Sequence, residues 1–430
     1  MLVQTTEDNI MLRRHTMLAA PGLLALPAAA ATPERETLIQ GFSPARLARI
    51  APAIAREIER QTFAGAITCI SRHGRIVHMA AHGTLDPERR RPMGNDAIFM
   101  LASMTKPLIA ALAMTLVEEG LISLRDPIGQ HLPELRELKV EQREPGRPVQ
   151  DVAPISPPTV QDLLRHTAGF FYSGPAAPSP RLSQMYDAAD IEQKRGPLST
   201  DEFLRRLATI PLGHQPGTTF HYSICIDVLG VLCQRVTGIR LDRLLKQRIL
   251  DPLGMTETGW FISPERMPRL AMGLPSDPQV ATMWANYRIE QDPGDATYFK
   301  GGAGLAGTTG DWLKFAEMML QGGLGNGQRI LSPATVRFML SDHTLGMGGT
   351  TFSSTGPGYG MGLGFAVRRQ EGMGFTAGSV GDAMWAGAWG TSFTIDHELG
   401  VVGLLMSNGP STRVHSRMLF KNLLYGALVA

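Results

Sequence analysis

Ser103-Met-Thr-Lys106 is the only S-x-x-K tetrad in the chain. Residues three apart on a helix share a face, so a helix beginning here brings the Lys106 amine to the Ser103 hydroxyl. A serine hydroxyl attacks a carbonyl when a neighbouring base takes its proton. A lysine serves as that base when burial or nearby cations favour its neutral form. The helix start also directs backbone N–H groups and positive potential at Ser103. The plain alternative is a capping serine followed by a surface lysine, and the tetrad alone does not separate the two. The scarcity of lysine adds weight. The chain has Lys106, Lys139, Lys194, Lys246, Lys300, Lys314 and Lys421 against 34 arginines.

Two further groups suit the same chemistry. Tyr222-Ser223-Ile224 follows the turn Gln215-Pro-Gly217. A phenol beside a lysine can share or relay a proton, because the cation favours the phenolate. Trp385-Ala-Gly387-Ala388 lies on an expected strand, where glycine permits close approach of a ligand or of another backbone. An N–H at this strand edge, together with that of Ser103, would form an oxyanion hole. Structural readings exist for both: an aromatic at a helix start, and a tryptophan packed in the core.

These groups need a scaffold. The periodicity predicts a first helix over Ser43–Thr62. A hairpin of strands Ala64–Ser71 and Ile76–Ala81 follows, and then a largely buried helix over Ser103–Glu119. Val140–Thr159 reads as loop, Thr159–Arg165 as a short helix, and Phe170–Thr200 as a long irregular segment. Helices are expected at 200–208, 223–237, 241–249, 309–321 and 332–340. Strands are expected at Gly362–Val367, Ala383–Trp389, Ser392–Ile395 and Val401–Ser407, and a closing helix at 411–428. The order predicts an α+β fold with a central antiparallel sheet built from both chain ends. Helices flank it, and a mostly helical lobe over about 136–294 is inserted.

Taken together, these elements resemble the serine β-lactamase and penicillin-binding-protein (DD-peptidase) superfamily. The likeness is closest to class C-like enzymes and the family VIII carboxylesterases. Phe99-Met-Leu-Ala-Ser-Met-Thr-Lys-Pro107 is similar to the family's nucleophile segment. Further landmarks follow in family order: Leu163-Leu-Arg-His-Thr-Ala-Gly169, Pro216-Gly-Thr-Thr-Phe-His-Tyr-Ser223, Pro252-Leu-Gly-Met-Thr-Glu-Thr258, Gly301-Gly-Ala-Gly-Leu-Ala-Gly-Thr308 and Trp385-Ala-Gly-Ala-Trp-Gly-Thr391. The resemblance implies Ser103 as nucleophile, Lys106 as base or its modulator, and Tyr222 as proton shuttle. It implies the N–H groups of Ser103 and Ala388 as the oxyanion hole. Which of Lys106 and Tyr222 takes the first proton stays open.

The departures are informative. Penicillin-recognising members carry K-T-G on the third strand and an Asn where Ile224 stands. Trp385 in place of that lysine removes a cation suited to a substrate carboxylate, and Ile224 removes an amide able to bind a substrate amide. Both changes favour esters over β-lactams and peptides, and a W-x-G third motif resembles the family VIII esterases. Asp227, five residues after Tyr222, either orients the site or supports its helix. His166 reads as a structural hydrogen-bonder. Tyr172, Asp227, Trp385 and Gly387 are candidate substrate-binding residues, with segments 170–186 and 283–300 as walls of an apolar acyl or aryl pocket.

Other chemistries find no support. Gly302-Ala-Gly304-Leu-Ala-Gly307 matches G-x-G-x-x-G but has no parallel βαβ unit around it. Ala377-Gly-Ser379-Val-Gly381 is one residue short of G-x-S-x-G and is followed by strand. The histidines show no metal-ligand spacing, so neither metal nor cofactor is expected. Cys69, Cys225 and Cys233 suit buried thiols better than a disulfide framework. A net charge of +2 provides no field to draw nucleic acid or acidic membranes, so the expected partner is a small-molecule ester.

Arg13-Arg14 and the apolar run Met17–Ala31 form a charged region, a short apolar region and small residues, the pattern of an export signal. The paired arginines resemble a twin-arginine signal. Residues 1–31 are therefore expected to direct a 32–430 catalytic domain to the periplasm or outside the cell, without stable membrane insertion. If the segment is not a functional signal, the protein is cytoplasmic. The overall expectation is a serine carboxylesterase working through a Ser103 acyl-enzyme. A β-lactamase, an amide hydrolase of the D-aminopeptidase or DD-peptidase type, and an acyltransferase are the alternatives on the same scaffold. A non-catalytic ligand-binding member is the remaining class.

Overall fold

His73 and Gly74 have φ of 49° and 79°, the left-handed pair that a tight two-residue hairpin turn requires. They join strand β1 (Gly65–Arg72) to β2 (Arg75–Asp86). This hairpin is one end of the main sheet in the computed structural model, which describes residues 37–193, 198–286, 298–349, 351 and 355–430. The other sheet strands are β3 (Arg91–Pro92), β4 (Tyr359–Met361), β5 (Ala366–Arg368), β6 (Ala383–Ala386), β7 (Ser392–Asp396) and β8 (Val401–Ser407). Their order is β4-β5-β6-β7-β8-β1-β2-β3, antiparallel throughout. The β1–β8 pairing, with Ala66 opposite Ser407, joins the two ends of the chain. The described residues of 94–358 add no strand to this sheet.

The sheet is covered on both faces, and the period-2 alternation of its central strands divides the apolar residues between two cores. Ala66 and Ile70 of β1, with Val401 and Leu405 of β8, pack against helices α1 (Ile50–Glu59) and α5 (Arg413–Ala427). Ile67 and Cys69, with Leu404 and Met406, face the larger core of α2 (Thr105–Glu118), α3 (Cys225–Thr237) and α4 (Thr309–Leu320). Residues 105–116 of α2 are all buried, which is why this helix shows little amphipathic contrast. No helix among the described residues is long and apolar enough to cross a membrane.

Several expectations are corrected. The first helix is interrupted: Pro44–Leu47 forms one turn, and α1 starts at Ile50. Of the expected strand Gly362–Val367, only Ala366 and Val367 are strand, in β5; 362–365 connect β4 to β5, turning at Gly364 with φ of 85°. The segment 170–200 holds a helix, Pro180–Ala189, capped by the Ser179 hydroxyl with proline in its first turn. The stretch read as loop forms a small ribbon of Val140–Gln142 and Gln150–Val152. The three cysteines are free and buried, and burial pushes each thiol up to about 12, which makes them unreactive. The proposed export signal lies outside the described residues, as does much of segment 283–300.

Burial also holds many histidines neutral. His78 and His214 are pulled down to about 4, and His82, His166, His221 and His343 are lowered for the same reason. As pH falls through 6.5, the ordinary value, the unfolded chain takes up these protons before the folded one does. Their contribution is complete above 6.5 and declines toward about 4. The urea midpoint should therefore be clearly lower at pH 5 than at pH 7, and equal midpoints would contradict this account.

Candidate functional site

The chain leaves the strand Ile98–Met100 and turns sharply before α2. Ala102 takes a left-handed φ of 43°, and Ala102–Met104 form a single 3-10 turn. The α-helix begins at Thr105, two residues later than the sequence suggests. Ser103 therefore sits on the turn and Lys106 in the first turn of α2. Lys106 is fully buried and Ser103 nearly so. Lys106 Nζ lies 3.4 Å from Ser103 Oγ. It also donates to the Gly302 carbonyl at 2.7 Å and contacts the Tyr172 hydroxyl at 3.2 Å.

Tyr222 lies just before α3 and lends its ring face, 4.6 Å from Lys106 Nζ. Its hydroxyl is buried without a hydrogen-bond partner among the described residues. The ring is boxed by His166 at 4.9 Å, Trp385 at 5.3 Å and Tyr172 at 5.6 Å. His166 Nδ1 meets Ser223 Oγ at 3.1 Å, and its carbonyl accepts from His221 N–H at 2.9 Å. Burial holds His166 far below the usual histidine range, with the Lys106 charge adding to the effect, so it stays neutral.

Trp385 stands in β6 and Gly387 just beyond it. A Cβ at Gly387 would collide with the Leu101 carbonyl and the Thr391 hydroxyl. The bare glycine therefore lets this strand end approach the Ser103 turn and brings Ala388 beside Ser103. Trp385 reaches the site by packing on Tyr222.

Asp227 stands in the first turn of α3 and is buried. Burial raises its carboxyl, while the Lys106 charge and the Gly302 N–H, 3.2 Å away, pull in the opposite direction. The Gly302 peptide thus bridges the two charges, its N–H on Asp227 and its carbonyl on Lys106. A cleft with about 280 Å³ open to the centre of a water-sized sphere lies over this group, lined by Ser103, Tyr172, Tyr222, Asp227 and Ala388. Ile191, Ile224 and Met283 add an apolar wall, and Glu192, Tyr298 and Lys300 a polar end.

Sequence reasoning missed some of these parts. Gly302 belongs to the glycine motif set aside as a failed dinucleotide site. Its glycines serve close packing: Cβ atoms there would meet Asp227 and Lys106 at Gly302, Trp260 at Gly304 and Thr258 at Gly307. Tyr172, expected at the substrate, also touches the lysine, and no spacing rule links residues 66 apart. Lys300 and Glu192 carried no signal. Ser379, by contrast, donates to Asp396 at 3.0 Å in a structural turn.

A sequence profile of the family described as Beta-lactamase matches residues 50–426. Esterase EstB of Burkholderia gladioli is 32% identical over 381 residues, covering 84% of this chain and 90% of that protein. Protein Rv1367c of Mycobacterium tuberculosis is 34% identical over 352 residues, covering 78% and 83%. The solved structure of EstCE1, a hydrolase with promiscuous acyltransferase activity, superposes with a TM-score of 0.71 at 27% identity. It covers 89% of this chain and 99% of that one.

The Gly302 bridge can be tested. Gly302→Ala places a methyl group 3.2 Å from Lys106 Nζ and against the Asp227 carboxylate. It should lower kcat for an activated ester by about 10- to 100-fold, the penalty of misplacing a catalytic group. A kcat within twofold of wild type would show that the bridge does not matter.

Proposed function

The chain belongs to the beta-lactamase family and acts on esters, and we propose that it does so through an acyl-enzyme on Ser103. The observation that carries this reading is the buried Lys106 amine 3.4 Å from Ser103 Oγ. Three oxygens surround this amine, the Gly302 carbonyl, the Tyr172 hydroxyl and Ser103 Oγ; loss of one proton frees its lone pair for the Ser103 hydroxyl while the two remaining hydrogens stay on the other two. Ser103 Oγ attacks the ester carbonyl as its proton moves to Lys106. The resulting ammonium is stabilised by the Tyr222 ring face and by the carboxylate of Asp227 beyond the Gly302 peptide.

The N–H groups of Ser103 and Ala388 receive the developing oxyanion. The Tyr222 hydroxyl, unpaired among the described residues, gives its proton to the departing alkoxide and takes one back from the Lys106 ammonium, which returns to the amine. Water then deacylates Ser103, and an alcohol in its place gives acyl transfer. The wall of Ile191, Ile224 and Met283 favours an apolar acyl group on a small-molecule ester. Ile224 offers no amide to a peptide or β-lactam. Arg13-Arg14 and the following apolar run support export of this domain to the periplasm or beyond.

Ser103→Ala should cut p-nitrophenyl butyrate hydrolysis by at least about 1000-fold with an unchanged melting temperature. A phosphonate ester should leave a mass adduct on Ser103 of the wild type alone. A faster turnover of a chromogenic cephalosporin than of the ester would overturn the assignment. Tyr222→Phe should lower kcat by about 100-fold at constant KM if the phenol carries a proton. A parallel change in KM alone would reduce it to a binding residue.

A further inference from the structure

The inner face of α5 carries Arg417, Lys421 and Tyr425, each one turn after the last. Two of the three find carboxylates. Lys421 Nζ lies 3.0 Å from Asp382, which also takes Arg368 at 2.7 Å. Tyr425 donates to Asp396 at 2.9 Å. Arg417 has no carboxylate partner among the described residues. Its Nη2 donates to the Gly387 carbonyl at 2.6 Å, and its Nε is buried with no partner among those residues. Burial and the nearby Arg413 lower this guanidinium to about 9, which leaves it charged at neutral pH. A half-buried guanidinium with one neutral acceptor and a buried Nε gains when an anion completes its hydrogen bonds.

A small cavity, about 50 Å³ of it open to the centre of a water-sized sphere, lies beside it between α5 and the sheet. Among the described residues the lining sets Arg417 and Lys421 beside the hydroxyl residues Thr376 and Ser392 and the apolar Met384 and Met418, and includes no Asp or Glu. Lys421 meets Asp382, which it shares with Arg368, so Arg417 is the cation of this lining with no carboxylate partner among the described residues.

We propose that this cavity binds a small monocarboxylate with an apolar tail, its carboxylate pairing with Arg417 in the way that Asp382 pairs with Lys421. The cavity's lining shares no residue with that of the Ser103 cleft, yet the two adjoin: Arg417 interacts with the Tyr222 phenol and holds the Gly387 carbonyl, and Gly387 immediately precedes Ala388. A carboxylate reaches it either as a free acid, the class of product that ester hydrolysis releases, or as a second acidic group on the ester itself.

Binding is measured on the full chain carrying Ser103→Ala, so that it does not depend on hydrolysis. Butyrate should raise the melting temperature saturably, whereas butan-1-ol and butylammonium should not. Adding Arg417→Gln should abolish the butyrate shift, and Arg417→Lys should weaken it by about tenfold, as loss of the planar fork predicts. If the Gln variant does not fold, the Lys variant and the three-ligand comparison decide. In the active enzyme, a roughly tenfold rise in KM caused by Arg417→Gln, confined to mono-p-nitrophenyl glutarate and absent for p-nitrophenyl butyrate, assigns the carboxylate to the substrate. A butyrate shift without that KM change assigns the site to free acid. No butyrate shift together with no ester-selective KM change overturns the proposal, as does an equal rise in KM for both esters.

Discussion

The site depends on burying one amine. Taking a lysine head group out of water costs several kcal/mol unless oxygen atoms replace its hydration. Three do so for Lys106: the Gly302 carbonyl, the Tyr172 hydroxyl and Ser103 Oγ. They stand 196, 66 and 3 residues away in the chain. The fold must hold those distant segments around the start of α2, and a local helix alone would leave the lysine in solvent.

Glycines make that convergence possible. Gly302 brings its peptide between Lys106 and Asp227, and Gly387 brings the end of β6 against the Ser103 turn. In both places a methyl group would occupy space that the neighbouring backbone or the charged groups already fill. Aromatic rings close the remaining sides, with Tyr222 held between His166, Trp385 and Tyr172. On the other face of the sheet the same economy of charge recurs. Arg368 and Lys421 share Asp382, whereas Arg417 has no carboxylate partner among the described residues.

Much of the architecture was legible because it follows local rules. The hairpin at His73-Gly74, the all-buried strand Val401–Ser407 and the helices α2, α3 and α4 stand close to where pattern placed them. The failures have local causes too. The strand expected over Gly362–Val367 starts only at Ala366, because Gly364 reverses the chain inside an apolar run. The helix Pro180–Ala189 was hidden by its proline and serine neighbours, which cap and start a helix as readily as they break one.

The sequence by itself determined the Ser103–Lys106 pair, since a three-residue spacing at a helix start is a local constraint. It also determined the ester preference expected from Ile224 and Trp385, because a missing amide or cation is a property of residue type. Only the tertiary structure decided that Tyr172 and Gly302 hold the lysine, that Tyr222 offers it a ring face, and that Arg417 lacks a carboxylate partner among the described residues. Those contacts join residues far apart in the chain. Their distances follow from how helices and sheet pack, and no periodicity in the sequence encodes them.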